Sequence, residues 1–366
     1  MLYFIAILTI LVLVHEFGHF IFSILFKVKV EEFGIGFPPS FYKRKGKLTT
    51  YSLNLLPLGG FVKLFGEDGS NQNDPGSFAS KKLWQKIIIL LAGVFNNLLF
   101  GYLILSVLLL IGLPLIGNFD EIYAYLNKNA IIKREEISIN YISKDSPAEK
   151  VGLKLNDKIL AYGNSPEDLK GANALSNFEY FVRNNKGREI TLEINRKGKE
   201  NIITVMPRSE YEPNDGPIGI GLSPAVYYAY PFGYNFIEAF KMIVKTFKMF
   251  FATIGNVFSS IFNLASKNHD VAGPVGIAVV TSNVAKMGVS YLIAFAASFS
   301  INLAIVNMLP IPGLDGGRIL MLLIEKISHR KFSQKLENYL IGTGLAFLVV
   351  IVIFVTIKDV LFYFVY

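Results

Sequence analysis

Residues 8–26 read LTILVLVHEFGHFIFSILF, which puts His15, Glu16 and His19 inside an otherwise apolar run of transmembrane length. Ionisable groups at that depth are costly, so they demand a structural or chemical reason. On a helix, His15 and His19 lie one turn apart on one face, as two ligands of a tetrahedral zinc must. Glu16 then sits beside the metal, placed to take a proton from a water activated there. The plainer alternative is a pair of histidines that hydrogen-bond between packed helices.

Composition sets the solvent. Of 366 residues 52% are apolar and 31 are Phe, the balance of an integral membrane protein rather than a soluble domain. A net charge of +8 raises the question of nucleic acid, but the basic residues cluster beside apolar runs, which fits membrane topology and a lipid bilayer instead. With no cysteine, thiolate metal sites and disulfides are excluded. The N-terminal run lacks a basic leader and a small-residue cleavage site, and cleavage would discard both histidines. A retained helix is the expectation.

Three further charge-free runs, Ile87 to Phe119, Met287 to Leu314 and Asn338 to Ile357, can each span a bilayer, and Leu2 to Leu25 makes four. Ten lysines and arginines between Lys27 and Lys86 separate the first two spans, and Arg318, Lys326, Arg330, Lys331 and Lys335 separate the last two. Both connections are therefore expected in the cytoplasm, with the termini and the long middle region outside. A fifth span over Met249 to Ser266 competes with this topology. Lys241, Lys245 and Lys248 precede it opposite Phe240, Ile243, Val244, Phe247 and Phe251, a pattern better explained by an amphipathic helix in the interface.

The expected organisation is a first transmembrane helix, β segment and second helix over 1–119, and a soluble domain over 135–208. An interfacial region over 231–286 and the last two spans over 287–366 complete it. The soluble domain reads as α+β, with strand-like runs at Ile137–Ile142, Glu189–Ile194 and Ile202–Val205 around a helical pattern near Phe178 to Arg183. Val28 to Phe65 is also strand-like, punctuated by Gly34, Gly36, Pro38, Pro39, Gly59 and Gly60. Irregular backbone at membrane depth must be paired or line a cavity, so a hairpin dipping toward the histidines is expected.

A catalytic zinc needs three protein ligands and an open position. His269 belongs to the outer region and His329 to a basic cytoplasmic loop, which leaves Asp315, in the run Asn307 to Gly317 (NMLPIPGLDGG), as the best candidate. Pro310 and Pro312 should stop the third span, and Gly316 and Gly317 should let the backbone approach another helix. The alternative is a loop aspartate that caps a helix near Arg318. Topology supports a meeting: spans one and three both run inward, and His19 lies about 12 Å of helix before Lys27.

At these residues the chain resembles the bacterial site-2 proteases, the M50-type intramembrane zinc metalloproteases that include the regulator of sigma-E protease. HEFGH at 15–19 matches their first motif and Asn307 to Gly317 their NxxPxPxLDGG motif. Gly93 to Asn97 (GVFNN) looks like their GxxxN, and 29–37 with 56–68 look like their membrane-reentrant hairpin. Ser146-Pro147-Ala148 and Gly152 to Ile159 are similar to a PDZ domain. The chain departs from the pattern in showing a single PDZ-like region and in Pro38-Pro39, where a glycine turn is more usual.

The resemblance implies His15, His19 and Asp315 as Zn2+ ligands and Glu16 as general base. It implies Asn307, and with less support Asn97, as residues that hold the substrate backbone; helix-helix bonding is the alternative for both. The activity it implies is endopeptidase cleavage within the transmembrane segment of a single-span membrane protein, an anti-sigma factor or a leftover signal peptide, in a bacterial inner membrane. Against this stands a non-catalytic membrane scaffold that gathers partners through its PDZ-like domain.

Overall fold

A computed structural model describes residues 2–117, 119–172, 175–211, 215–261, 273–330 and 332–364. Along the chain run α1 (Leu2–Leu25), β1 (Val30–Lys45), β2 (Thr50–Leu64), α2 (Leu83–Ile111), β3 (Leu113–Ile116), α3 (Phe119–Tyr125), β4 (Ile131–Ile142), α4 (Pro147–Lys150), β5 (Lys158–Gly163) and β6 (Lys170–Gly171). There follow α5 (Leu175–Asn184), β7 (Ile190–Arg196), β8 (Lys199–Val205), β9 (Ile220–Ala229), α6 (Tyr234–Ile261), α7 (Pro274–Met287), α8 (Val289–Asn307), α9 (Asp315–Ser328) and α10 (Gln334–Phe364). The chain divides into two units, Met1–Leu105 with Ala239–Tyr366, and Ser106–Glu238.

Among the described residues four helices are long and apolar enough to cross a membrane: α1, α2, α8 and α10 through Phe362. Their ends differ from the charge-free runs for local reasons. Gly112, at φ +139°, and Pro114 end α2 well before Phe119, and the chain turns into β3. Gly288, at φ +131°, splits α7 from α8. At the other end α10 runs on through Lys358 and Asp359. The Asp359 carboxylate is fully buried and accepts the backbone N–H of Gly273 (3.2 Å) and Gly276 (2.6 Å), capping the start of α7. Charge alone reads as the end of a span, but here it closes a helix terminus.

In the first unit, close backbone approaches bring the elements together. Thr9 donates to the Pro57 carbonyl at 2.7 Å, and Gly59 and Gly60 lie against Val12 and Leu13, so β2 runs alongside α1. A Cβ on Gly18 would come within 2.3 Å of the Ala92 carbonyl oxygen, which sets α1 against the backbone of α2. Helices α2 and α8 meet where Gly101 faces Ile301 and where the Ser300 hydroxyl donates to the Asn97 carbonyl at 2.8 Å. Strands β1 and β2 pair with one another, Phe33 with Val62 and Tyr42 with Leu53. Pro38 and Pro39 do not interrupt β1. They fall at a register shift between Phe37 and Ser40, where no ladder N–H is required.

The second unit is α+β. Its sheet has the order β3-β9-β4-β5-β7-β8, with β6 on β5, and is wider than the strand-like runs of 135–208 suggest. Strand β9 pairs with β4 from Ile131↔Ala229 to Ile142↔Ile220, but Gly219, Gly221 and Pro224 mask it in sequence. Ile137, Ile139, Ile190, Leu192 and Ile194 form the core with Phe178 and Val182 of α5. Ser146 caps α4, accepting from the Glu149 N–H, with Pro147 in the first turn where a missing N–H costs nothing. Asp157 is buried and accepts from Arg196 Nε (2.8 Å) and Nη2 (2.6 Å) and from the Lys154 N–H (2.8 Å). Asp157→Ala removes these three bonds and leaves the part-exposed Arg196 with only the Gly152 carbonyl, 2.8 Å from Nη2, as its partner among the described residues. We expect it to cost the domain about 3 kcal/mol, read as faster amide hydrogen exchange across β5 and β7 in the intact protein.

Candidate metal centre

Why α1 is helical is plain from its Leu, Ile and Phe content, and its period does the rest. One turn apart, His15 Nε2 and His19 Nε2 point to a common spot and lie 3.1 Å from each other. Asp315, the first residue of α9, brings Oδ2 to 3.0 Å from His15 Nε2 and 3.4 Å from His19 Nε2. Its place in the first turn suits a carboxylate, since the helix dipole favours negative charge there. Both histidines are buried, with 7% and 9% of the residue surface exposed.

The three atoms form a triangle with edges of 3.0–3.4 Å. A tetrahedral zinc with bonds of about 2.0–2.1 Å sets its ligands about 3.3 Å apart, so the triangle fits one face of such a site. The hydrogen bonding agrees. His19 Nδ1 lies 2.8 Å from the Ile89 carbonyl oxygen, a bond that commits the proton to Nδ1 and leaves the Nε2 lone pair facing inward. Asp315 Oδ2 has no hydrogen-bond partner although it is buried. A carboxylate oxygen and an imidazole lone pair turned on one point repel each other unless a cation lies between them. Among the described residues, no other group of three histidine or acidic side chains is placed to hold a metal ion.

Close packing of α2 encloses the imidazoles. A Cβ on Gly93 would stand 2.5 Å from His19 Nε2 and 2.8 Å from His15 Nε2, so this position admits hydrogen alone. Gly316 and Gly317 also serve close approach, but to their own loop and not to another helix. Cβ atoms there would fall 2.2 Å from the Met308 and 2.0 Å from the Ile311 carbonyl oxygen.

A cavity of about 350 Å³ opens beside the triangle. His15, Glu16, His19, Asn307 and Asp315 line it, and Gly60 to Val62 of β2 form a wall. Glu16 and Asn307 are half-buried there. Asn97 does not line this cavity. It is fully buried, and neither atom of its amide has a hydrogen-bond partner. His329 caps the far end of α9 and is exposed, whereas His269 lies outside the described residues. In the sequence Gly93 stands out only as part of the GVFNN run, and nothing there points to the Ile89 carbonyl. The signal for Gly93 was a glycine inside a long apolar helix, where alanine would be better tolerated without a packing reason.

An α-helical membrane bundle that holds two imidazoles, a carboxylate and a glutamate outside that set around one cavity belongs to the class of embedded metallohydrolases. The profile of Peptidase family M50 matches residues 3–351, and the chain belongs to that family. A Clostridium acetobutylicum protein that carries the provisional name zinc metalloprotease is 31% identical over 98% of this chain and 97% of its own length. A Nostoc protein with the same provisional description is 32% identical over 97% of this chain and 94% of its own. The Arabidopsis thaliana chloroplastic membrane metalloprotease ARASP is 30% identical over 98% of this chain and 78% of its own.

Proposed function

We propose that this chain cuts a peptide bond within the transmembrane segment of a single-span membrane protein. It is a zinc metalloprotease. The observation that carries the narrower reading is the pair His15 and His19 inside a helix apolar enough to cross a bilayer, joined by Asp315 from the start of α9, with Glu16 on the same cavity. His15 Nε2, His19 Nε2 and Asp315 Oδ2 hold the ion. Bound there, zinc supplies the Lewis acidity that activates water near neutral pH and polarises the scissile carbonyl.

The chain's own residues do the remaining work. Glu16 takes the proton of the attacking water and passes it to the leaving amide nitrogen. Asn307 offers both a donor and an acceptor to the backbone of a substrate unwound from its helix, where no solvent can satisfy it. The walls from β2 keep the bond out of lipid, and we assign the β1–β2 hairpin a position dipping into the membrane. Asn97, off the cavity, has no part in this scheme.

The second unit serves as a PDZ-like element outside the cytoplasm that captures an extended peptide by strand addition or turns away substrates with bulky external domains. The substrates fitting this site are anti-sigma factors or signal-peptide remnants, already trimmed on the outer side, in a bacterial inner membrane. The test uses purified protein in detergent. About one zinc per chain and cleavage of a single-span reporter inside its apolar stretch are expected. An active preparation without zinc, or products cut only outside that stretch, would overturn the reading.

A further inference from the structure

The cavity at the triangle shares a wall with two others, of about 180 and 310 Å³. Both are lined largely by polar groups of the 66–72 loop and by Glu337 at the start of α10. Two residues, Glu67 and Arg318, line all three. They are ion-paired through Arg318 Nη1 and Glu67 Oε1. Each side chain keeps about a quarter of its surface open, 25% for Arg318 and 27% for Glu67, because cavities flank the pair.

The two members are not equally held. Glu67 Oε2 accepts the Leu64 N–H at 3.2 Å and is thereby anchored to the end of β2. Arg318 sits one turn after Asp315 on the same face of α9, at the end of a long side chain. Glu337 offers it a second carboxylate on the polar side, since it lines both outer cavities with Arg318. Arg318 can therefore leave Glu67 without becoming an unpaired charge.

Resting on the hydrolytic reading above, which requires water at a site surrounded by lipid, we propose that the Glu67–Arg318 pair is the gate through which water reaches the metal cavity. Arg318 on Glu67 closes the partition, and Arg318 on Glu337 opens it. Water consumed by hydrolysis is then drawn from the membrane face that carries residues 65–81.

The chain has no cysteine, so one thiol placed in the metal cavity reports its solvent access without further engineering. Leu303 lines that cavity and belongs to neither the triangle nor the pair. In sealed vesicles of either orientation, Leu303→Cys should react slowly with a charged, membrane-impermeant methanethiosulfonate, and only from the face of residues 65–81. Adding Glu67→Ala should raise that rate about tenfold or more, and adding Glu337→Gln should lower it. The exchange Glu67→Arg with Arg318→Glu, which rebuilds the pair reversed, should return it toward the parent. Equal rates in the parent and Glu67→Ala, reaction from the opposite face, or an exchange variant as fast as Glu67→Ala would each overturn the gate. The readout needs no cleavage, so loss of the peptidase reading and loss of the gate remain separable outcomes.

Discussion

Glu16→Gln should leave zinc bound at the level of the parent and lower cleavage of a single-span reporter by about 100- to 10,000-fold, the usual contribution of a placed general base. The separation follows from geometry. Glu16 lines the metal cavity, but the triangle is closed by His15, His19 and Asp315 without it. Glutamine keeps the volume of the side chain and one acceptor oxygen, but it replaces the other oxygen with an NH2 donor and cannot take up a proton. Metal analysis and reporter cleavage on one preparation decide the matter. Parent-like turnover would remove Glu16 from the mechanism, and parallel loss of zinc and activity would make it a structural residue.

Gly93→Ala is expected to be as damaging by a different route. The added methyl would lie 2.5 Å from His19 Nε2, and the two imidazoles and the α2 backbone cannot all stay in place. Overpacking of this kind costs about 1–3 kcal/mol of fold stability. The metal site cannot absorb it, because a ligand nitrogen displaced by several tenths of an ångström leaves the bond length zinc requires. Zinc affinity, measured by competition with a chelator, should fall about 100-fold or more, given that losing even a partner behind the ligands costs 10- to 100-fold. Gly342→Ala is the control. No atom lies within 4 Å of its added methyl, so zinc and activity should match the parent. Unchanged affinity in Gly93→Ala would mean that α2 does not press on the site.

The four apolar helices and the existence of a sheet-containing α+β region were legible because hydropathy and alternation act over many residues at once. Ends of elements were less legible, since they turn on single residues such as Gly112 and Gly288, whose φ angles are set by the backbone around them. Strand β9 was hidden by its glycines and proline, because its membership comes from pairing with β4, nearly a hundred residues earlier in the chain. At the site, HExxH spacing declares itself through a helix period, and Asp315 through the elimination of better ligands. Gly93, Ile89 and the Glu67–Arg318 pair are products of packing between distant segments. No local pattern marks them.

The triangle joins residues 15 and 19 to residue 315, and later still in the chain comes α10, whose buried Asp359 closes α7. A chain still being synthesised therefore carries its two imidazoles into the bilayer long before the third donor exists. During that interval it holds neither a complete ligand set nor a capped α7.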